Sequence, residues 1–337
     1  MNRKEDWLES LPMDTRENIT EEDFPGWKAP MLATLTDRRF SDDQWIFERK
    51  LDGERCLVFR RDDQIHLRSR NQKELDATYP ELVEAIGKQQ TRQFIADGEI
   101  VAFEGTNTSF SRLQKRMHIR QSEEAQASSI AVYYYLFDLL HLDGYTLTQA
   151  ALRHRKSLLK RVISFQDPLR FVIHRNGEGE AYYEQACKKG WEGVMAKDAQ
   201  SSYRHSRSRK WLKFKCVNRQ DLVIGGYTDP GGERIGFGAL LLGYYEDGTL
   251  QYAGRVGTGF DNDTLEWLHR KLKKREQLAS PFGNSEDIPG DSVHWVKPEL
   301  VAEIGFEEWT EAGRLRHPRY KGLREDKNAE QVIREER

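Results

Sequence analysis

A chain of 337 residues exceeds what one hydrophobic core usually serves and suits about two domains. Its 37% hydrophobic and 11% aromatic content excludes general disorder, and no apolar run approaches the roughly 20 residues that cross a bilayer. The net charge of -2 does not mark a nucleic-acid binder, so any such role rests on where the charges sit.

Residues 1–24 are acidic, with Glu5, Asp6, Glu9, Asp14, Glu17, Glu21, Glu22 and Asp23, and read as an arm with a helical piece. Lacking an apolar core, the arm is not a signal peptide. Pro25, Gly26 and Pro30 punctuate the entry to a folded body over 25–216. Strand signals at 45–48, 55–60 and 65–68, separated by Asp52-Gly53 and Asp62-Asp63, form a meander. Further strand signals flank Asp97-Gly98, and the apolar run 132–140 reads as a buried strand. The polar stretch 121–129 reads as a surface loop. Helical periodicity covers 147–162 and 179–189, and strands are expected at 193–197 and 210–215. Arg204, Arg207, Arg209, Lys210, Lys213, Lys215 and Arg219 fall in a stretch without a single acid. A second basic run holds Arg314, Arg316, Arg319, Lys321, Arg324 and Lys327. Such patches can neutralise phosphates while the whole chain stays near neutral.

Beyond Cys216 the texture changes, and the boundary is placed near Val217. Strands at 222–227, 238–245 and 250–256, a helix at 265–274, and strands at 292–296 and 300–306 around a Lys-Pro turn suggest a small OB-fold barrel over 217–337. The glycines at 231, 232, 236 and 238 lack the GxxxxGK[ST] pattern and read as turn residues. Cys56, Cys187 and Cys216 are odd in number and far apart, so three buried thiols in a reducing cytoplasm are expected rather than a disulfide or zinc site.

The chemistry concentrates at Lys50-Leu51-Asp52-Gly53-Glu54-Arg55, a lysine beside a turn-forming Asp-Gly. Lysine is a nucleophile only when neutral, so it needs nearby cations or desolvation to shed its proton near pH 7. The basic run around Lys213 and Lys215 could supply those cations by folding back beside Lys50.

This hexamer resembles the KxDGxR nucleotidyl-lysine motif of the covalent nucleotidyltransferases, which include DNA ligases, RNA ligases and capping enzymes. The other family signatures follow in order: Ser69-Arg70-Asn71, Asp97-Gly98-Glu99, Phe137-Asp138, Glu192 to Lys197 (EGVMAK), Trp211 to Lys215 (WLKFK) and Arg324 to Lys327 (REDK). The resemblance spans nearly the whole chain. It implies an α+β architecture: an adenylyltransferase domain of antiparallel sheets with flanking helices, followed by a C-terminal OB-fold β-barrel.

By the same resemblance, Lys50 attacks the α-phosphate of ATP and becomes a lysine–AMP phosphoramidate. Lys213 and Lys215 grip that phosphate, while Arg55 and Arg70 hold the ribose and later the DNA phosphate. Glu99 and Glu192 orient the ribose and bind Mg²⁺ or Mn²⁺, hard cations suited to carboxylates. Phe137, which from the residues alone would fill a core, stacks on adenine. Glu48 accepts the adenine amino group and favours ATP over GTP, and Arg49 and Lys197 complete the nucleotide contacts. Arg324, Asp326 and Lys327 act in the first step over pyrophosphate. Arg70, Arg204, Arg207, Arg209, Arg316 and Arg319 are the expected nucleic-acid contacts.

The wider wording is similar to the bacterial end-joining type called ligase D, in Pro30 to Leu35, in Val256 to Phe260 and in Leu315 to Lys327. Nicked or broken double-stranded DNA is then the substrate, the end-binding protein Ku a partner, and a monomer sufficient. The chain has no room for the polymerase and phosphoesterase domains that many such proteins carry. NAD-dependent ligases fit poorly, since their four-cysteine zinc site has no counterpart. An RNA ligase or capping enzyme is the runner-up, and a catalytically dead OB-fold binder a third reading.

Overall fold

The computed structural model describes residues 7–119, 121–216, 218–284, 288 and 292–335; Val217, the expected boundary, lies outside them. The chain divides into two compact units, one ending at Cys216 and one spanning 217–336.

Two sheets build the first unit. The larger has Glu54–Arg61, Gln64–Ser69, Gln93–Glu104 and Val132–Leu142 as its long strands, paired antiparallel. Alternation along a strand sends successive side chains to opposite faces. Cys56, Val58, Phe94 and Ala96 therefore enter one core, shared with Leu82 and Ile86, Phe110 and Leu113, and Leu158 and Leu159. Those pairs come from the helices Pro80–Gly87, Phe110–Met117 and Leu152–Val162. Leu57, Phe59 and Ile95 enter a second core, where they meet Ile46 and Trp211 of the smaller sheet.

The smaller sheet runs in the order His174–Asn176, Trp45–Lys50, Gly193–Asp198, Arg207–Lys215, Leu32–Leu35. Its far face, with Phe47, Val194, Ala196 and Phe214, packs against Tyr182 and Ala186 of the helix Gly179–Lys188. Only glycine fits at 193: its φ is 152°, and a Cβ there would lie 1.9 Å from the Phe214 carbonyl oxygen.

The second unit is a half-barrel, OB-like sheet. Its order is Thr249–Val256, Leu240–Glu246, Asn218–Thr228, Val293–Phe306, Glu276–Gln277, with Arg319–Leu323 also on Val293–Phe306. Leu265, Leu268 and Leu272 of the helix Asn262–Lys273 fill its core, and the Asp261 side chain caps that helix by accepting from the Thr264 N–H.

Several local expectations are corrected. From Trp7 on, the acid-rich N-terminal segment is integrated into the first unit: Trp7, Leu11 and Ile19 are buried in the helix-side core, and Thr20–Glu21 pairs with Tyr145–Thr146. A minority of apolar residues decides its fate. The polar stretch expected as a loop contains the short helix Ser122–Gln126. The Lys297-Pro298 pair does not end a strand, because it falls in the irregular step of the Val293–Phe306 ladder, between Trp295 and Leu300. Proline costs least where no ladder N–H is needed. Finally, Cys187 and Cys216 are joined in a disulfide, with Cα atoms 5.2 Å apart, and Cys56 alone is free and buried. The helix Gly179–Lys188 ends beside the end of strand Arg207–Lys215, where the Tyr183 hydroxyl donates to the Lys215 carbonyl at 3.1 Å. Residues 29 apart in sequence thereby become neighbours, which cysteine spacing does not reveal. No described helix is long and apolar enough to cross a membrane.

Candidate active site

Strand register gathers the predicted residues. Lys50 lies opposite Gly193, which lies opposite Lys215; one row along, Glu48 lies opposite Met195 and then Lys213. In the next row Ile46 lies opposite Lys197 and then Trp211. Residues opposite in an antiparallel ladder, and residues two apart on one strand, share a face. Glu48, Lys50, Lys197, Trp211, Lys213 and Lys215 therefore stand on a single face of the smaller sheet, with glycine between Lys50 and Lys215. Arg49 does not join them. It points to the opposite face, its guanidinium 4.5 Å from the Trp191 ring centroid and 5.9 Å from that of Phe103.

At one end of this face the Lys50 ammonium donates to the Glu192 carboxylate. Burial pulls the Lys50 pKa down, but Glu192, with Asp52 and Glu99 behind it, holds it above the ordinary lysine value. Cations were expected to depress it; carboxylates raise it instead. Lys50 is thus an ion-paired ammonium, and as a nucleophile it would have to lose both partner and proton.

At the other end Glu48 is buried between two ammonium groups. Lys156 Nζ donates to its Oε1 and Lys197 Nζ to its Oε2, each at 2.6 Å. Burial alone would push the Glu48 carboxyl up, but Lys156 and Lys197 together hold it below the usual carboxylate value. Burial also lowers the Lys197 pKa, which Glu48 only partly offsets. Lys197 Nζ lies 4.0 Å from the Phe137 ring centroid and 4.2 Å from that of Trp211.

The larger sheet supplies the rest. On Val132–Leu142, Leu136 pairs with Gly98 and Asp138 with Asp97, so Phe137 is the extra residue of a β-bulge. Bulges re-aim a side chain, and this one turns Phe137 into the core between the sheets, where it is 7% exposed. Arg55 Nε and Nη2 form a bidentate pair with the Asp97 carboxylate, both at 2.5 Å. The Arg55 guanidinium lies 4.7 Å from the Phe137 centroid. Tyr203 donates to Asp97 Oδ2 at 2.6 Å, completing a buried clamp on the arginine. Glu99 lies directly opposite Arg55, and Arg70 follows the strand Gln64–Ser69 in a half-buried turn.

In the second unit Arg324 forms a bidentate pair with Asp326, at 2.9 and 2.8 Å, and Lys327 pairs with Asp221 at 3.2 Å. Burial would raise the Asp326 carboxyl, but Arg324 holds it well below the usual range. Arg204, Arg207 and Arg209 are exposed, as are Arg316 and Arg319. Arg207 donates to the Ala33 carbonyl, and Arg316 pairs with Glu308 at 2.7 Å.

Family models decide what this constellation belongs to. The model described as "ATP dependent DNA ligase domain" matches residues 30–215, and "ATP dependent DNA ligase C terminal region" matches 233–327. The chain belongs to the ATP-dependent DNA ligases. Among its relatives, the multifunctional non-homologous end joining protein LigD of Pseudomonas aeruginosa is 36% identical over 92% of this chain and 37% of its own length. The LigD protein of Mycolicibacterium smegmatis is also 36% identical, over 97% of this chain and 42% of its own length. The chain therefore spans about two fifths of the length of these curated relatives. A solved structure of mycobacterial DNA ligase D complexed with ATP and MES is 35% identical, with a TM-score of 0.66 over 91% of this chain and 98% of that one.

Sequence reasoning passed over four residues of the candidate site and its surroundings. Lys156 and Arg155 are fully buried on the Leu152/Leu159 face of their helix. Two adjacent cations on an apolar helix face were the signal, since charges buried there need partners. Tyr203, which clamps Asp97, and Asp221, which holds Lys327, had no local pattern to announce them.

Proposed function

We propose that the protein seals nicks in double-stranded DNA through a lysine–AMP intermediate on Lys50, in the repair of broken ends. The observation that carries this reading is the single sheet face holding Glu48, Lys50, Lys197, Lys213 and Lys215 beside Phe137. One end of that face suits a phosphate and the other a base. In the first step Lys50 Nζ, once neutral, forms a bond to the α-phosphorus, and the bond to the bridging oxygen breaks to release pyrophosphate. Lys213 and Lys215 would stabilise the negative charge that builds on the phosphate, the contribution that lowers such barriers most. Next, an oxygen of the 5′-phosphate at the nick takes the AMP and frees Lys50. Then the 3′-hydroxyl attacks that phosphate, the phosphodiester bond forms and AMP leaves.

The base end explains a preference for ATP. Adenine presents an amino donor beside the N1 acceptor, whereas guanine presents a carbonyl acceptor beside an N–H donor. A Glu48 acceptor next to a Lys197 donor complements the adenine edge and opposes the guanine edge. Arg55, locked by Asp97 and Tyr203 and lying over Phe137, would hold ribose or phosphate with little reorganisation.

Among the described residues no group of three or more His, Cys, Asp or Glu forms a ready-made cation cage. Two carboxylates at the phosphate end, Glu99 and Glu192, still fit a divalent cation of the Mg²⁺ or Mn²⁺ type, which takes few protein ligands and completes its shell with phosphate and water. Bound there, the ion would neutralise charge on the triphosphate. The REDK segment would act in the first step, as the resemblance implies. Action on broken ends follows the end-joining names of the relatives, Ku is the partner that the resemblance implies, and the protein works as a monomer in the cytoplasm.

Covalent labelling tests the reading. Wild type and Lys50→Ala are incubated with α-labelled ATP or GTP and Mg²⁺ or Mn²⁺, then run on a denaturing gel. Label from ATP on wild type alone, chased onto nicked DNA and released on sealing, is the expected result. Absence of label from protein confirmed to be free of AMP would overturn the proposal. Addition of Ku to blunt-end ligation tests the partner, and unchanged rates would remove it.

A further inference from the structure

The buried ammonium of Lys156 is the group the catalytic scheme does not use. It is 1% exposed, and its Nζ donates to Glu48 Oε1 at 2.6 Å and to the Val172 carbonyl at 3.1 Å, with the Phe137 carbonyl at 3.4 Å. It also lies 4.7 Å from the Phe171 ring centroid. These contacts tie together the carboxylate proposed to read the base, the backbone of the bulged ring proposed to stack on it, and the strand end that follows Leu169–Phe171. Burying an ammonium is costly unless charge and hydrogen bonds compensate. At Lys156 three oxygens do so, one for each of its three protons.

We propose that Lys156 is the positioning residue for nucleobase selection, fixing the Glu48 carboxylate so that the base-facing group Lys197 keeps protons for the nucleotide. The inference rests on the reading of Glu48 and Lys197 as the adenine contacts. Glu48 has two oxygens and two ammonium partners. With Lys156 on Oε1, the carboxylate is ionised and its rotamer fixed before ATP arrives. The lone pairs left over can then accept the adenine amino group. Lys197 needs only one of its protons for Glu48 Oε2, so the others remain for an acceptor on the base. Were Lys156 absent, Lys197 alone would have to neutralise and orient a carboxylate that is 2% exposed. Lys197 would be drawn into that pair, and the donor–acceptor order of the base edge would blur. Arg155, the next residue, cannot substitute, because its guanidinium is committed to Asp138 at 2.7 and 2.9 Å.

The test compares Lys156→Met and Lys156→Arg in wild-type and Glu48→Gln backgrounds, reading single-turnover self-adenylation against ATP and GTP concentration. Lys156→Met is expected to raise the ATP half-saturation concentration about tenfold or more and to narrow the ATP-over-GTP preference, with the rate at saturating ATP little changed. Lys156→Arg keeps the charge but not the compact ammonium, so it should recover only part of the loss. In the Glu48→Gln background Lys156→Met should add little, because its object is gone. A Lys156→Met defect that persists undiminished beside Glu48→Gln, or that falls on the saturated rate alone, overturns the inference. If Glu48→Gln weakens ATP binding while Lys156→Met folds and binds normally, only the Lys156 inference fails. If Glu48→Gln leaves ATP binding and base preference unchanged, the underlying reading of Glu48 fails and takes the inference with it. Thermal melting of every variant separates these outcomes from misfolding.

Discussion

Two carboxylate–ammonium clusters share one face of the smaller sheet, and they are built for opposite ends. At the phosphate end one ammonium, Lys50, meets the carboxylate of Glu192, and the lysine side chain is 18% exposed. At the base end one carboxylate, Glu48, meets two ammonium groups, and all three side chains are 1–2% exposed. On the proposed mechanism the first is a pair that must open, since its lysine has to become a neutral nucleophile. The second has every reason to stay closed, because removing one partner leaves charge stranded in the interior. Partner number and exposure, rather than residue type, separate a reactive lysine from a fixed one.

The largest test of that contrast is Lys50→Ala. It should lower self-adenylation at least about a thousandfold, because no other group supplies the nucleophile. Glu192, whose side chain is 5% exposed, loses its partner in this variant, so a thermal melt accompanies the assay to show that the fold survives. A variant that still takes up label would move the nucleophile elsewhere. The closed type of cluster predicts the reverse pattern. Arg155 and Asp138 are both 0% exposed, so Arg155→Leu strands a carboxylate and should cost about 3–5 kcal/mol in chemical denaturation. A cost near zero would mean that the Arg155–Asp138 pair does not hold this cluster closed.

Lys327→Ala comes next. Its ammonium is spent on Asp221 in this structure, and the proposed first step draws on it. Self-adenylation should fall about a hundredfold while sealing of a pre-adenylated nick changes little. Equal losses in both assays would refute the division of labour. A smaller effect follows from the direction of the Lys50 pKa. Glu192 stabilises the ammonium, so Glu192→Gln should let the proton leave at lower pH. The acid limb of kcat/KM for ATP, which reports the free enzyme, should then move down by about one pH unit, alongside any fall in rate. A limb that stays in place, or moves up, would mean that Glu192 does not set the proton affinity of Lys50.

Much of this site is legible in the amino-acid sequence, for a physical reason. EGVMAK and WLKFK each lie on one strand or at its start, KLDGER joins the end of Trp45–Lys50 to the start of Glu54–Arg61, and chemistry that needs several groups on one face writes itself with a two-residue period. Glu48 and Lys50, and Lys213 and Lys215, show that spacing directly. Arg49 had the right neighbours but the wrong parity, and the alternation that places Lys50 turns it away. What stays illegible depends on tertiary partners. Lys156 acquires meaning only when its helix is laid beside Glu48, and Tyr203 only when it reaches Asp97. The Cys187–Cys216 bond depends on how a helix end meets a strand end. The N-terminal segment misled by composition, because three apolar residues among many acids were enough to anchor it.

The exposed arginines carry the open-versus-paired contrast to the surface, where the effects are smallest. Arg209 is exposed on the acid-free stretch, whereas Arg316 is exposed but paired with Glu308 at 2.7 Å and near Glu307. A cation that meets a DNA phosphate releases a condensed counterion, and each such contact adds about one to the salt dependence of binding. Arg209→Ala should therefore weaken binding to nicked duplex a few-fold at low salt and flatten the slope of log affinity against log salt by about one. Arg316 must first give up its glutamates, which already neutralise it, so Arg316→Ala should flatten the slope by clearly less. Salt titrations of the two variants on the same nicked duplex measure this difference. Equal flattening would mean that DNA displaces Glu308 without cost, and that pairing in the free protein does not grade these surface cations.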